Sequence, residues 1–264
     1  VKEMEHQSLF NLEAFNIKLD TEFLGRNFVY CEELDSTNDY LLGNEDFREN
    51  GTVVLAEFQT KGKGRHNHDW RSAKGQNLTF SVLLNENLEH FKINYLNLSA
   101  ALSVGMALEN LYQLKPEMKW PNDVLVEGKK IAGILCESLS AGNQITDLVI
   151  GIGINVNQTN FPGKYKIPPT SIRIEAKRKV SRERLLSEFL NIFEENIMQL
   201  IDSPKNILNN WRERCKMLGD KIWVKVHGSE ELFGTFEDIN EDGFMLLRVG
   251  NEIKKIFSGE IIKK

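Results

Sequence analysis

The sequence predicts an α+β fold, with a mixed sheet and helices over residues 1–216 and a small β-barrel over 217–264. Three observations predict it. Short apolar runs at 27–31, 53–58, 78–84 and 148–156 have the length and the β-branched and aromatic content of strands. Two longer stretches, 97–114 and 182–201, repeat apolar residues at helical spacing. After Trp211 the chain breaks into short strand-like runs punctuated by Gly228, Gly234, Gly243, Gly250 and Gly259, the spacing of a small barrel.

The elements follow in order. Asn27–Cys31 reads as a strand, and Asp35-Ser36-Thr37-Asn38 supplies capping residues for a helix through Tyr40, Leu41 and Leu42. Val53–Phe58 and Leu78–Leu84 are strands joined by a basic, glycine-containing loop. Leu98, Ala101, Leu102, Leu108 and Tyr112 form one helical face. Met118–Trp120 is short and extended. Val124–Val126, Glu127-Gly128 and Ile131–Cys136 make a β-hairpin with glycine in its turn. Leu148–Val156 is a strand carrying Gly151 and Gly153, and Gly163–Pro169 is a loop. Ser181 caps the second long helix, whose inner stripe is Leu186, Phe189, Phe193, Ile197 and Leu200.

Bulk composition narrows the function. The 264 residues carry a net charge of −5, with 41% hydrophobic and 27% charged residues, which is ordinary for a soluble domain and argues against general nucleic-acid binding. No apolar run approaches the ~18 residues of a membrane span, and the polar stretch Val1–Asn16 is no signal peptide. Cys31, Cys136 and Cys215 are odd in number and far apart, which fits buried thiols in a reducing, cytoplasmic compartment. His66 and His68 are neighbours without a Cys or acidic set beside them, so no metal ligand is assigned.

Four segments carry candidate chemistry: Asp35-Ser36-Thr37-Asn38; Gln59 to Trp70, with Lys61, Lys63 and Arg65 alternating with Gly62 and Gly64; Lys119-Trp120-Pro121-Asn122-Asp123 followed by Lys129-Lys130-Ile131-Ala132-Gly133-Ile134-Leu135; and Gly151-Ile152-Gly153-Ile154-Asn155-Val156-Asn157. Taken singly the first, second and fourth have ordinary explanations: a helix cap, a solvated surface, close backbone packing. Lys119 to Asp123 is harder to dismiss. It sets a cation, an aromatic plane, a fixed turn, an amide and a carboxylate in a row, a set that no packing need demands. The basic loop can wrap backbone N–H groups and cations around a phosphate or carboxylate.

Together, in this order over residues 30–160, the four segments resemble the biotin–protein ligases, the biotin–[acetyl-CoA-carboxylase] ligase family, in a short form. The resemblance implies a catalytic domain like that of class II aminoacyl-tRNA synthetases followed by an SH3-like barrel. It implies ATP and biotin as substrates, Mg²⁺ with the nucleotide, and a lysine of a biotin carboxyl carrier domain as acceptor. It also implies roles. Arg65, Lys130 and Asp123 are the expected catalytic residues: Arg65 clamps carboxylate and phosphate, Lys130 touches both, and Asp123 orients or deprotonates the incoming amine unless it only caps the Pro121 bend. Ser36, Thr37, Asn38, Gln59, Gly62, Lys63, Arg65, Lys130, Gly133 and Leu135 are expected around biotin, and Arg65, His68, Trp70, Asn122, Lys130 and Asn155 around the adenylate. Lys129 is expected to face away from Lys130, since strand neighbours alternate.

The chain departs from the family pattern at Lys63 and His68, where arginine is common, and at Asn67, where some members have glycine. The 34 residues before Asp35 are not basic, so no DNA-binding module is expected. A homodimer is compatible with the resemblance. The competing readings are a lipoate–protein ligase, which shares fold and chemistry, and a non-catalytic module that binds biotin or its adenylate.

Overall fold

A computed structural model describes residues 9–65, 68–86, 88, 93–142, 144–226 and 231–262; His66, Asn67 and Gly228 lie outside them. The elements run α1 (Leu12–Asn16), β1 (Phe28–Cys31), α2 (Thr37–Gly43), β2 (Val53–Ala56), β3 (Leu78–Leu84), α3 (Ile93–Tyr112), β4 (Pro116–Lys119), β5 (Asp123–Val126), β6 (Lys129–Ala141) and β7 (Gln144–Ile154). Then follow α4 (Ile172–Ala176), α5 (Arg182–Asp202), α6 (Pro204–Glu213), β8 (Lys221–Val226), β9 (Glu231–Ile239), β10 (Met245–Val249), β11 (Glu252–Ile256) and β12 (Gly259–Ile262). The α+β class expected from the sequence is the one the chain adopts.

The first seven strands form one mixed sheet in the order β1-β2-β3-β7-β6-β5-β4. Only β1 and β2 pair in parallel. Side chains on a strand alternate between faces, and that alternation divides the sheet. Leu78, Phe80, Val82, Ala132, Ile134, Ile150, Ile152 and Ile154 join the large core with α3 and α5, where the Phe80 ring meets Phe189 edge-on at 5.3 Å. The opposite face is covered only in part. There Leu41 of α2 packs with Val54, Leu83 and Val149 into a small second core.

Local chemistry explains the element ends. Ser181 Oγ accepts from Arg184 N and starts α5, as its capping position predicts. Glu127 and Gly128, both at positive φ (49° and 69°), make the two-residue turn that β5 and β6 need. Several expectations change, among them the end of the strand read as Leu148–Val156, which stops at Ile154, and the short helices α1 and α4, which the sequence does not predict. The strand from Val53 ends at Ala56 rather than Phe58. The β6–β7 hairpin runs further than its apolar residues, because its far half is largely solvent-facing and has no alternation to read. A ten-residue helix, α6, was not expected; it begins with proline and buries only Ile207, Leu208 and Trp211.

The second sheet is antiparallel, in the order β11-β10-β9-β8-β12. Its core residues Val224, Phe236, Met245, Leu247 and Ile261 are continuous with the large core. Polar contacts also hold it to α6, α3 and the end of β4: Arg212 pairs with Asp238 (2.7 Å), Asn94 Nδ2 donates to Asp242 O (3.1 Å), and Trp120 Nε1 donates to Gly243 O (3.2 Å).

Candidate active site

The face of the sheet that α2 leaves uncovered is built from small residues. Across the β6–β7 pair, Gly133 stands opposite Gly153 and Leu135 opposite Gly151. With no side chains at three of these four positions, the sheet surface is open to other groups. A Cβ on Gly151 would collide with Asn38 Oδ1, and one on Gly153 with the indole of Trp70. The result is a cavity of about 560 Å³ over the glycine floor. Every predicted site residue lines it except Gly62. Gly62 lies behind the wall, where a Cβ would meet Trp70 O and the Gln59 side-chain amide.

One end of the cavity is neutral and fixed by hydrogen bonds. Ser36 caps α2, accepting from Asp39 N at 3.4 Å. Gln59 Oε1 accepts from both Thr37 N (2.7 Å) and Thr37 Oγ1 (3.0 Å). Buried Ser81 donates toward Thr37 Oγ1 and Asn38 Oδ1, each at 2.6 Å. Asn38 Nδ2 donates in turn to Glu137 Oε2 (2.7 Å). Ser81 and Glu137 were not singled out in the sequence, because their partners lie some 40 and 100 positions away.

The basic loop is pinned into a tight hairpin. Trp70 N donates to Gly62 O (2.9 Å) and Gly64 N to His68 O (2.7 Å). Most of its cations are already neutralised: Lys61 by Asp35 (2.8 Å), Lys63 by Asp39 (2.5 Å), Arg71 by Asp69 (2.8 Å) and Lys74 by Glu32 (3.4 Å). Such exposed pairs stabilise little, but they decide which charge is left over. Among the described residues Arg65 has no carboxylate partner. It lines the cavity and donates from Nη2 to Ser258 Oγ of the second sheet at 3.1 Å. Burial pulls its guanidinium below the ordinary value, against the opposing charges of Asp123 and Glu260.

Lys130 reaches the cavity because of a bulge. The β5–β6 register pairs Leu125 with Lys130 but Val124 with Ala132, so Ile131 is an extra residue. Without it, Lys130 would share the core face of Ala132 and Ile134. With it, the Lys130 side chain comes over Gly133, where a Cβ would lie 3.1 Å from its Nζ. Its ammonium pairs with Asp123 at 2.7 Å and stands 5.7 Å from the Trp70 ring centroid. Lys129 points elsewhere, to Glu175 at 2.9 Å. Asn122 Nδ2 donates to Ile134 O (2.7 Å), so its amide is partly spent on structure. Asn155 is buried and lines the cavity.

The reading that no packing need explains Lys119 to Asp123 is corrected for one member. Trp120 is 2% exposed and bonded to the second sheet, so it is a core and interface residue, not a plane offered to a ligand. Residues missed at the sequence level include Ser258 and Glu260 of the second sheet. Glu260 lines the cavity and holds Lys166 of the loop after β7 at 2.8 Å. No local pattern marks them; only the packing of the two sheets brings them in.

Comparison with known proteins places this arrangement. A model of the biotin/lipoate A/B protein ligase family matches residues 30–155, and one of the biotin protein ligase C-terminal domain matches 218–264. The chain is 32% identical over 250 residues to the bifunctional ligase/repressor BirA of Bacillus subtilis, covering 92% of this chain and 76% of that protein. It is 32% identical to the biotin–[acetyl-CoA-carboxylase] ligase of Paracoccus denitrificans, over 81% of this chain and 91% of that one. The biotin protein ligase of Aquifex aeolicus in complex with biotin and ATP superposes with a TM-score of 0.79 at 32% identity, covering 89% of this chain and 97% of that chain.

Proposed function

The chain belongs to the biotin protein ligase family, and we propose that it activates biotin with ATP and transfers it to a lysine of a carboxylase's biotin carboxyl carrier domain. One observation carries the proposal: a single cavity joins a neutral, hydrogen-bonding end to a cationic end across a floor of glycines on β6 and β7. Biotin has the matching form, a neutral ureido ring at one end and a carboxylate at the other.

The neutral end supplies both donors and acceptors through Ser36, Thr37, Asn38 and Gln59, as a urea requires. The carboxylate then lies toward Arg65 and Lys130. In the first step a carboxylate oxygen attacks the α-phosphorus of ATP, the bond from that phosphorus to the β-phosphate oxygen breaks, and pyrophosphate leaves. Two anions must meet; unit charges ~4 Å apart repel by about 4 kcal/mol at an effective dielectric of about 20. Arg65 and Lys130 offset that repulsion where it arises. Arg65 is the residue for two oxygens at once, because its planar fork matches them.

In the second step a lysine amine attacks the acyl carbon, AMP leaves, and the amine loses a proton. Asp123 is the acceptor for that proton. Before substrates arrive it is held by Lys130. An anionic ligand that draws Lys130 toward itself leaves the carboxylate unpaired and basic. Trp70, lying on the floor at Gly153, covers the adenylate. Mg²⁺ would enter with the nucleotide and offset phosphate charge; among the described residues no group of three His, Cys, Asp or Glu is placed to hold it alone.

The test is ATP–pyrophosphate exchange by the purified chain with biotin or lipoate, followed by labelling of a carrier domain. Exchange with biotin alone and one labelled carrier lysine are expected. Exchange with lipoate alone would assign the site to the lipoate branch of the family, and exchange with neither would leave a binding module.

A further inference from the structure

Lys119 is a buried cavity cation to which the steps above give no task. It ends β4, opposite Asp123 in the strand register, and is 5% exposed. Its neighbours have protein partners: Lys130 holds Asp123 (2.7 Å), Lys166 holds Glu260 (2.8 Å), and Arg65 donates to Ser258 (3.1 Å). Among the described residues the Lys119 ammonium has neither an ion pair nor a hydrogen bond. A buried, unpaired ammonium is costly to a fold. Burial pulls its pKa below the ordinary lysine value, and Lys130 and Arg65 push the same way against Asp123 and Glu260. A chain that keeps such a group in a cavity wall has it matched by an anion from outside.

Sheet order says which anion. Thr37 and Gln59 of the neutral end are tied to each other and, through Thr37, to Ser81 of β3. Lys130 stands on β6, and Lys119 on β4, the edge strand beyond it. At ~4.8 Å per strand, β4 is roughly 19 Å from β3 and about 10 Å past β6. A ligand whose reacting carboxylate stops at Lys130 does not extend to Lys119. The nucleotide's outer phosphates, which continue beyond the reacting α-phosphorus, are the anions left to match it.

Building on the proposed ligase activity, we propose that Lys119 binds the β- and γ-phosphates of ATP and stabilises the pyrophosphate as it leaves. When the bond from the α-phosphorus to the bridging oxygen breaks, its electron pair stays on that oxygen, and the leaving group gains negative charge. The Lys119 ammonium is the donor placed for that charge. The same residue has no part in the second step, from which pyrophosphate has gone.

The experiment separates the two half-reactions in Lys119→Met, which keeps the length of the side chain and removes its charge. Biotin-dependent ATP–pyrophosphate exchange is expected to fall about ten- to a hundredfold, the loss of one charge-assisted contact. Transfer from supplied biotinyl-5′-AMP to a carrier domain is expected at the wild-type rate, with thermal stability equal or higher because a buried charge is gone. Lys119→Arg is expected to recover part of the exchange. Unchanged exchange in Lys119→Met overturns the proposal. So does a parallel loss of both half-reactions, or failure of the variant to fold, since each makes Lys119 a packing residue. Wild-type chain that exchanges with neither biotin nor lipoate would instead refute the ligase reading itself.

Discussion

Replacing Glu57 by Gln tests how the basic loop is held. Glu57 and Arg182 form an ion pair with side-chain exposures of 1% and 5%. The carboxylate accepts from Arg182 Nη1 (2.5 Å) and Nη2 (2.9 Å), from Phe10 N (2.9 Å) and from Tyr30 OH (3.1 Å). Gln keeps the shape and one acceptor oxygen, but it turns an NH₂ group toward a guanidinium and strips the counter-charge from a buried cation. At the surface such a change would cost at most about 1 kcal/mol. At these exposures the expected loss is about 3–5 kcal/mol, roughly 6–20 °C in Tm for a chain of this size. Burial and the Glu57 charge raise the Tyr30 pKa to about 12, so the variant should also titrate a tyrosine at lower pH, read by phenolate absorbance. Activity should follow. The backbone of residue 57 donates to Cys31 O (3.0 Å) and accepts from Gly75 N (3.3 Å), closing both ends of the basic loop. The ATP KM in pyrophosphate exchange is therefore expected to rise. Denaturant melts decide the case: a loss below about 1 kcal/mol would show that the pair is not a buried one in energetic terms.

Four further outcomes are expected. Arg65→Gly should still form the adenylate but release it, so that a bystander protein becomes biotinylated in a streptavidin blot; a blot confined to the carrier domain would count against the clamp. Lys130→Ala should stall the first step, and normal pyrophosphate exchange in that variant would remove Lys130 from the catalytic set. Gly153→Ala should push the Trp70 indole off the sheet, weakening nucleotide binding in calorimetry. Because Trp70 sits on a loop and can move, stability should fall by less than the about 1–3 kcal/mol of core overpacking. Cys136 gives a pH effect. Burial pushes its thiol from 9.0 up to about 12, so above pH 9 the unfolded chain releases a proton that the folded chain keeps. The fold then binds more protons and loses stability as pH rises toward 12, by up to about 1.4 kcal/mol per pH unit. Cys136→Ala should flatten that slope in urea melts between pH 8 and 10.

The fold was legible wherever one physical period dominates. β3 is a seven-residue strand buried along its whole length, and its bounds match the apolar run Leu78–Leu84. Ser181 and the apolar stripe behind it mark α5 from both local signals at once. Legibility failed where the driving force is not local. The outer half of the β6–β7 hairpin is largely exposed, and α6 buries three side chains. Neither leaves a period long enough to read.

The candidate site divides along the same line. Residues that must be glycine, or that must cap or turn, announce themselves: Ser36, Gly133, Gly151 and Gly153 were visible as types before any partner was known. Charge is different, because a cation's availability depends on what lies across from it. Lys61, Lys63, Arg71 and Lys74 look like Arg65 in the sequence, yet acids from distant and neighbouring segments neutralise them and leave Arg65 turned inward. Lys119 makes the point more strongly. It stands in a motif read for its chemistry, and nothing in its flanking residues shows that it would be buried without a counterion. A fold tolerates that cost where a ligand removes it. Residual unpaired charge, counted after every internal pair is assigned, is therefore a better guide to where this chain binds its anions than the density of basic residues along it.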